Sequence, residues 1–324
     1  MHDPKEIAER FDTILESYYR AWFRFHPEAA VEVGYDEYAG QLRPYGDDDF
    51  GALLTLNREL MFSLDELDAE ALDADRLIDY ELAWSSAALE SEELIEADWR
   101  HRDPEAYLPV NAIHQLLVRP VGNFETAMAE RLAAIPQYLR GARQKLGTQP
   151  ETIPPLWLES SLQTAREGAK FIRSIPVHPR LDECQHAIPG LAELVSSAAT
   201  ALENFASCIE SDLLPAAAGN FACGERRFQQ ILGFRHFLDI NADQLHVLGS
   251  RLFEDTASRL REVCTVLNGN DDVAAMMRKL ADNHPSADAL LDSYRSMMQQ
   301  ARRFLEQHDI VSLPEKETLA VVDT

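Results

Sequence analysis

Apolar residues recur at steps of three and four along most of the chain, which is the spacing of one face of an α-helix. The first such stripe ends before Pro27 and consists of Ile7, Phe11, Ile14, Tyr18, Trp22 and Phe25. Similar stripes predict further helices over residues 50–67, 76–95, 111–118, 123–147, 155–172, 190–214, 224–237, 241–268 and 286–306. The pattern therefore predicts an all-α protein, a multi-helix bundle of about ten helices.

Several of these helices carry start signals in the sequence. Asn123 is a good N-cap residue, and Asn241 followed by Gln244 forms a capping box. Pro136 falls inside the predicted helix 123–147, and we expect it to kink that helix or divide it in two. Because no low-complexity linker interrupts the pattern, residues 1–306 are predicted to form a single helical domain.

The end of the chain departs from the helical pattern. Residues 307–324 contain the short runs "IVSLP" and "TLAVVDT", which are rich in β-branched and apolar residues around a proline, as strands are. We therefore expect a strand-like tail, and a strand needs a pairing partner. That partner either lies in segments read as loops or comes from beyond Thr324.

Charge and composition exclude several classes of function. The formal net charge is −25 and the isoelectric point is near 4.7, whereas proteins that bind nucleic-acid backbones carry the opposite sign. The first residues show no secretory signal, and no apolar run is long enough to span a membrane. Cys184, Cys208, Cys223 and Cys264 are scattered without metal-ligand spacing. We expect a cytoplasmic protein with reduced thiols that binds neither nucleic acid nor membrane.

No catalytic group stands out in the sequence. A helical zinc peptidase needs two histidines one turn apart with a glutamate between them, and this chain contains no His-Glu dipeptide. His101 and Glu105 are the nearest to such a pair, but Pro104 lies between them and interrupts a regular helical turn. Acidic runs such as residues 46–50 and 90–98 are explained by solvated helix faces.

Two weaker features could form a groove or ligand site. Gly224, Arg227 and Phe228 stand where a loop of small residues enters a helix, and the free amides of a helix start can receive an anion or a peptide carboxylate. A tight loop entering a helix is the structural alternative. Tyr35 and Tyr38 are clustered near glycines; they either form a binding surface or pack against the first helix.

Five segments, taken in order, resemble a known bacterial family. They are "FHPEAAVEVGYDEYAGQL", "DPEAYL", "ERLAAIPQYLRGARQKL" with "REGAKFI", "LLPAAAGNFACGERRFQQIL" and "HDIVSLPEKETLAVVDT". In sequence and order they resemble the N-terminal half of the family called domain of unknown function 885, over about residues 20–324. The resemblance implies a large, mainly helical protein related to zinc metallopeptidases.

The resemblance also implies that the metal lies elsewhere. In the family the His-Glu motif belongs to the C-terminal half, so no zinc ligand and no general base is transferred to any residue here. Phe228 stands where the family is expected to have tyrosine, so a substrate contact through that hydroxyl would be lost. The tail 307–324 would then lead into a missing C-terminal catalytic half, and zinc would be expected only with that half.

Three hypotheses follow from these observations. In the first, the chain is the helical N-terminal half of a metallopeptidase-like protein, inactive alone, and its partner is the C-terminal half or a peptide. In the second, it is a stand-alone helical binding or scaffold protein without a hydrolytic role. In the third, it is itself a hydrolase with an unrecognised site, which no set of ligands supports.

Overall fold

The computed structural model describes residues 3–182, 188–314, 319 and 321, and these contain α-helices but no β-strand. The all-α prediction is therefore confirmed for the described residues. The α-helices are α1 Pro4–Trp22, α2 Pro27–Glu32, α3 Asp47–Asp65, α4 Ala74–Glu92, α5 Val110–Val118, α6 Phe124–Leu146, α7 Pro155–Ser174, α8 Pro179–Asp182, α9 Leu191–Cys208, α10 Glu225–Gln230, α11 Ala242–Asn268, α12 Val273–Ala281 and α13 Leu290–His308.

Three of these helices continue into a π-helical turn. The turns are Glu93–Ala97 after α4, Ile209–Leu213 after α9 and Ile231–Arg235 after α10. A π-turn closes its hydrogen bonds over five residues and is found mostly as a single turn, frequently at functional sites. Two of the three lie beside the cavity described below.

The chain divides into two units, Met1–Ala242 and Asp243–Thr324. In the first unit, α6, α7 and α9 pack together around the main core. Leu132, Ile135 and Leu139 of α6 are fully buried there, as expected for the apolar stripe of a core helix. A second cluster joins α1, α3 and α4 through Phe11, Leu64 and other side chains.

The second unit buries few apolar side chains. Among its described residues only Cys264 and Met276 are buried, while many large apolar side chains remain exposed. On α11 most of the exposed ones share one helix face, among them Leu248, Leu252, Leu260, Val263 and Leu267. On α13 they are Leu290, Tyr294, Met297, Met298 and Phe304. We call these two sets the α11 face and the α13 face.

The structure corrects several details of the sequence-based prediction. Of the two outcomes expected at Pro136, division of the helix is wrong, because α6 runs through this residue, and a kink stays a prediction. The buried apolar stripe of α6 offsets the roughly 3 kcal/mol that an internal proline costs. Helix α12 was not predicted. In the tail, α13 extends to His308, and residues 309–314, 319 and 321 form no strand. Residues 315–318, 320 and 322–324 lie outside the described part. The domain boundary after residue 306 stays a prediction.

Candidate functional site

A cavity of about 390 Å³ lies within the first unit, where the end of α4 faces the segment that contains α10. This size lies within the range of small-molecule sites in proteins. The lining side chains combine aromatic rings with charges of both signs: Leu89, Glu92, Glu93, Glu96, Ala97, Trp99, Arg102, Asp103, Trp157, Phe221, Ala222, Cys223, Arg227, Ile231 and Arg235. A larger cavity of about 640 Å³ between α6 and α9 is lined without aromatic residues. Because ligand sites are lined mainly by apolar and aromatic side chains, the smaller cavity, which we call the aromatic cavity, is the better candidate.

The first wall is shaped by a strained turn after α4. Asp98 follows the π-turn with a positive φ of 26°, a backbone conformation that is rare for residues other than glycine. Its carboxylate accepts hydrogen bonds from Arg100 Nε at 2.7 Å and Nη2 at 2.8 Å. Burial opposes ionisation, but these bonds and the nearby positive charges hold the pKa of Asp98 below its usual value. The turn thereby brings buried Trp99 to the cavity wall.

The second wall is a loop that is tied to the segment just before α7. The N–H groups of Ala218 and Gly219 donate to the carbonyls of Glu151 and Ile153 at 3.3 and 3.0 Å. A Cβ atom at Gly219 would overlap the backbone of Thr152, so only glycine allows this close approach. The loop then turns at Gly224, whose φ is 81°, and enters α10.

The acids that line the cavity belong to an ion-pair cluster with α10. The guanidinium of Arg227 lies 3.5 Å from Glu92 and 3.4 Å from Glu93. Arg226 pairs with both Glu92 and Glu96, and Gln230 Nε2 donates to Glu92 at 2.6 Å. The acids of α4 and its π-turn are therefore largely paired with positive side chains from α10, although Glu92 Oε2 and Gln230 Oε1 are buried without a hydrogen-bond partner.

Two of the lining residues, Trp99 and Arg102, each carry a buried donor without an acceptor. Arg102 Nη2 donates to the Asn220 carbonyl at 2.9 Å, but Arg102 Nε is buried with no hydrogen-bond partner. The indole Nε1 of Trp99 is likewise buried and unpartnered. Leaving a buried donor unsatisfied costs about 1–3 kcal/mol.

Asp103 also lines the cavity. Its Oδ1 accepts the backbone N–H groups of Glu105 and Ala106 at 3.0 and 3.3 Å. Burial nevertheless raises the pKa of Asp103 above its usual value. The guanidinium of Arg102 lies 5.4 Å from the ring centroid of Trp157, so the arginine is placed between a carboxyl group and an aromatic face.

The site residues predicted from the sequence do not all lie at one place in the structure. Arg227 lines the cavity and Gly224 adjoins it, next to the lining residue Cys223, whereas Phe228 on α10 is not among the lining residues. Tyr35 stacks on Phe23 with ring centroids 5.1 Å apart. Tyr38 borders a separate, shallow depression. Neither tyrosine belongs to the aromatic cavity.

Sequence reasoning missed Trp99, Arg102, Asp103 and Trp157. The only local signal was the interruption of the helical pattern around "DWRHRDPEAYL", since a functional segment often departs from a regular repeat. Nothing in the sequence pairs this stretch with Trp157 or with the loop before α10. These contacts are made only in the folded chain.

The described side chains do not fit a zinc site. No three His, Cys, Asp or Glu residues in the described part of the chain are grouped so that they could hold a metal ion. The pair singled out above is engaged elsewhere: His101 Nδ1 lies 2.9 Å from Thr148 Oγ1, and Glu105 accepts a hydrogen bond from Ser161 at 2.9 Å. We derive no reaction step through zinc from these residues.

The family "Bacterial protein of unknown function (DUF885)" matches residues 27–324. The chain is a DUF885 protein. Its fold is similar to that of a solved structure described as a "putative lipoprotein of unknown function" from Shewanella oneidensis, with a TM-score of 0.67 and 17% identity. The match covers 95% of this DUF885 protein and 59% of the other chain. The DUF885 protein thus spans about three fifths of the length of that relative.

Two further findings complete the comparison of this DUF885 protein. A search of curated proteins found no match. Among the described helices, none combines the length and the apolar character that crossing a membrane requires.

Proposed function

We propose that this DUF885 protein is a non-catalytic helical module that assembles with further polypeptide, as the helical half of a larger metallopeptidase-like protein. The observation that carries the proposal is the exposure of the α11 and α13 faces. In the second unit, described apolar side chains that would normally form a core are left in contact with solvent. Large exposed apolar patches mark surfaces that bind other chains.

The α11 face is arranged as an amphipathic helix surface. Its apolar residues recur at steps of three, four and eight, so they share one side of the helix. The side chains of Arg251 and Asp255 form an exposed ion pair on the same helix. A helix with one apolar and one charged side is suited to packing against a second apolar surface.

The length of the similar structure supports a polypeptide occupant for these faces. The matched region of the Shewanella oneidensis protein is 59% of its chain, so that relative has further residues that could cover the corresponding surface. Hydrolysis is assigned to no residue here, because a metal-dependent step would need ligands beyond those in the described part of the chain. The proposed partner is a protein and not a nucleic acid, because the net charge of −25 has the same sign as a phosphate backbone.

The proposal is tested by co-expressing the full chain with the polypeptide encoded beside it, followed by sedimentation velocity and binding of an apolar dye. We expect dye binding by the isolated chain, and a stoichiometric complex that binds much less dye. Leu252→Glu and Val263→Glu should each abolish the complex, whereas Arg251→Glu on the charged side should leave it intact. A dye-silent isolated chain, or a complex unaffected by both apolar-face variants, would contradict the proposal.

The second candidate function is a stand-alone binding protein without a hydrolytic role. The aromatic cavity favours it, because that cavity lies within the first unit and needs no other chain to complete its described walls. This function predicts a dye-silent monomer that still binds a small ligand. The two candidates therefore differ in the first measurement above.

A cytoplasmic location belongs to the proposal as well. Cys208, Cys223 and Cys264 are free thiols, as is usual for proteins of a reducing compartment. Fractionation of cells that express the full-length natural protein tests this point. Recovery in the membrane or envelope fraction would overturn it.

A further inference from the structure

We propose that the groove between α6 and α9 binds a sugar that carries a phosphate monoester. This groove is the cavity of about 640 Å³ described above, and its lining residues lie in Met1–Ala242. The proposal is therefore independent of the assembly through the α11 and α13 faces. It rests on two arginines without carboxylate partners, on a row of polar side chains opposite them, and on the position of the acid that shares the lining.

Arg140 and Arg143 of α6 form the phosphate end of the groove. They are three residues apart, so their side chains are neighbours on the helix surface and can reach one anion. Arg140 Nη1 donates to Gln137 Oε1 at 3.1 Å, and Arg143 lies close to the Cys208 thiol. No carboxylate in the described part of the chain forms an ion pair with either arginine. Both side chains are exposed, so their remaining N–H groups are open to a ligand.

The charge of two arginines matches that of a phosphate monoester. Such a group carries a charge of about −1.5 to −2 at neutral pH and has three acceptor oxygens. The planar fork of a guanidinium binds two of these oxygens at once. A carboxylate has one charge and two oxygens, and would leave part of this arginine pair unused. The geometry therefore favours a phosphate over a carboxylate.

Glu193, the one acid among the described lining residues, lies too far away to neutralise the arginines. It is in the first turn of α9, whereas Cys208, beside Arg143, is the last residue of that helix. Because α9 has 18 residues and rises about 1.5 Å per residue, these positions are about 20 Å apart. Asp212 also interacts with the Cys208 thiol, but it is not a lining residue and accepts a hydrogen bond from Ser211 at 2.7 Å.

The polar side chains of α9 define the rest of the ligand. Those that line the groove are Ser196, Ser197, Thr200 and Asn204. All are exposed, and none forms a side-chain hydrogen bond with another residue that the structure describes. By contrast, the hydroxyls of Thr13 and Thr55 bond to carbonyls one turn back on their own helices. Hydroxyl and amide groups both donate and accept, as the hydroxyls of a sugar do, so this wall suits a hydroxyl-rich molecule.

The test is isothermal titration calorimetry on the full chain with glucose 6-phosphate, glucose, glucuronate and inorganic phosphate. We expect glucose 6-phosphate to bind, and glucose to bind at least about a hundredfold more weakly because it lacks the charged group. Glucuronate carries a single charge and inorganic phosphate lacks the sugar hydroxyls. Each should therefore bind about tenfold more weakly than glucose 6-phosphate.

Variants assign the binding to the groove. Arg140→Gln and Arg143→Gln each remove one guanidinium from an exposed position, and we expect about a tenfold loss of affinity for glucose 6-phosphate in each. Thr200→Val removes a hydroxyl, and it should weaken glucose 6-phosphate about threefold but leave inorganic phosphate unchanged. The control is Arg20→Gln on α1, where the arginine forms an exposed ion pair with Glu16. This variant should bind as the parent does.

A chemical probe gives the same answer without any substitution. Phenylglyoxal modifies accessible guanidinium groups, and mass spectrometry locates the modified residues. Glucose 6-phosphate should protect Arg140 and Arg143 from this reagent and should leave Arg20 reactive.

Several results would overturn the proposal. They are the absence of glucose 6-phosphate binding, equal affinity for glucose and glucose 6-phosphate, and equal losses in Arg140→Gln and Arg20→Gln. Equal affinity for inorganic phosphate and glucose 6-phosphate would overturn the assignment of a sugar. Failure here leaves the assembly experiment unaffected, since that experiment reports on α11 and α13.

Discussion

At the scale of single residues, Glu90 joins three helices of the first unit. One of its carboxylate oxygens accepts hydrogen bonds from Asn57 at 2.8 Å and from Trp22 at 3.1 Å. The other oxygen lies 2.8 Å from His26 Nε2, and Tyr18 donates to Asn57 at 2.9 Å. Burial disfavours the charge, yet these partners together hold the pKa of Glu90 below its usual 4.5.

We predict that Glu90→Gln lowers the free energy of unfolding by about 2–4 kcal/mol at pH 7, because it removes one member of a buried, hydrogen-bonded charge cluster. Since the folded pKa lies below the unfolded one, the stabilisation is complete above the unfolded pKa and is lost as pH falls through the folded pKa. Glu90→Gln should therefore flatten the acid side of the stability profile. Urea unfolding from pH 3 to pH 7 measures both effects.

The matched control is Glu81→Gln on the exposed side of the same helix, which should change stability by less than about 0.5 kcal/mol. Equal losses in both variants would contradict the role assigned to Glu90.

Some residues that line the cavity could be predicted from the sequence, and others could not. Arg227 could be singled out because it follows a small-residue loop at a helix start, which is a local signal. Trp99 and Arg102 could not, because the cavity that they line is completed by a distant loop. Arg102 meets Asn220 of that loop and the ring of Trp157 only in the folded chain.

At the scale of elements, the loop before α10 is positioned by backbone contacts with the segment just before α7. The amides of Ala218 and Gly219 donate to carbonyls of this segment, and the close approach at Gly219 leaves no room for a side chain. The loop carries Phe221 and Cys223 into the cavity wall. The shape of the cavity thus depends on one glycine that does not line it.

We predict that Gly219→Ala destabilises the protein by about 1–3 kcal/mol, since the backbone of Thr152 or the loop must shift to relieve the overlap. Alkylation of Cys223 should become faster in this variant, because the loop is released. Denaturant unfolding and alkylation rates check the two effects.

Gly51→Ala is the control, because Gly51 is an exposed position of α3 with open space around it. Alanine there should raise stability by about 0.5–1 kcal/mol. An unchanged stability of Gly219→Ala would show that the loop is not held in the way described.

The helices could be predicted from the sequence for a physical reason, but the π-turns at their ends could not. The stripe of Leu132, Ile135 and Leu139 predicts a helix, because the buried face of a helix needs apolar residues at this spacing. The same stripe continues past Pro136. Packing of this stripe, and not local propensity, therefore keeps the residues on both sides of Pro136 in one helix. The π-turns at Glu93–Ala97 and Ile231–Arg235 leave no comparable mark on the sequence.

At the scale of the whole molecule, the two units differ in how much apolar surface they bury. The first has clusters of fully buried side chains on several helices. The second has only Cys264 and Met276 buried among its described residues. A segment with so small a core cannot offset the conformational entropy of folding by itself.

We predict that a fragment of residues 1–242 folds alone and unfolds cooperatively, with a melting temperature within about 5 °C of the main transition of the full chain. A fragment of residues 243–324 should show no cooperative transition. Circular dichroism and calorimetry on both fragments test this. Cooperative unfolding of the shorter fragment would instead show that its few buried contacts suffice.

The π-turn at Glu93–Ala97 makes the cavity sensitive to chain length as well as to residue identity. A π-turn holds one residue more than an α-helical turn, and one residue corresponds to a rotation of about 100° around a helix axis. Deleting a single codon there would let α4 continue as a regular helix. The residues that follow the deletion, as far as Trp99, would then be rotated around the helix axis and would point away from the cavity. Relatives without this extra residue should therefore lack the cavity even if they keep both tryptophans.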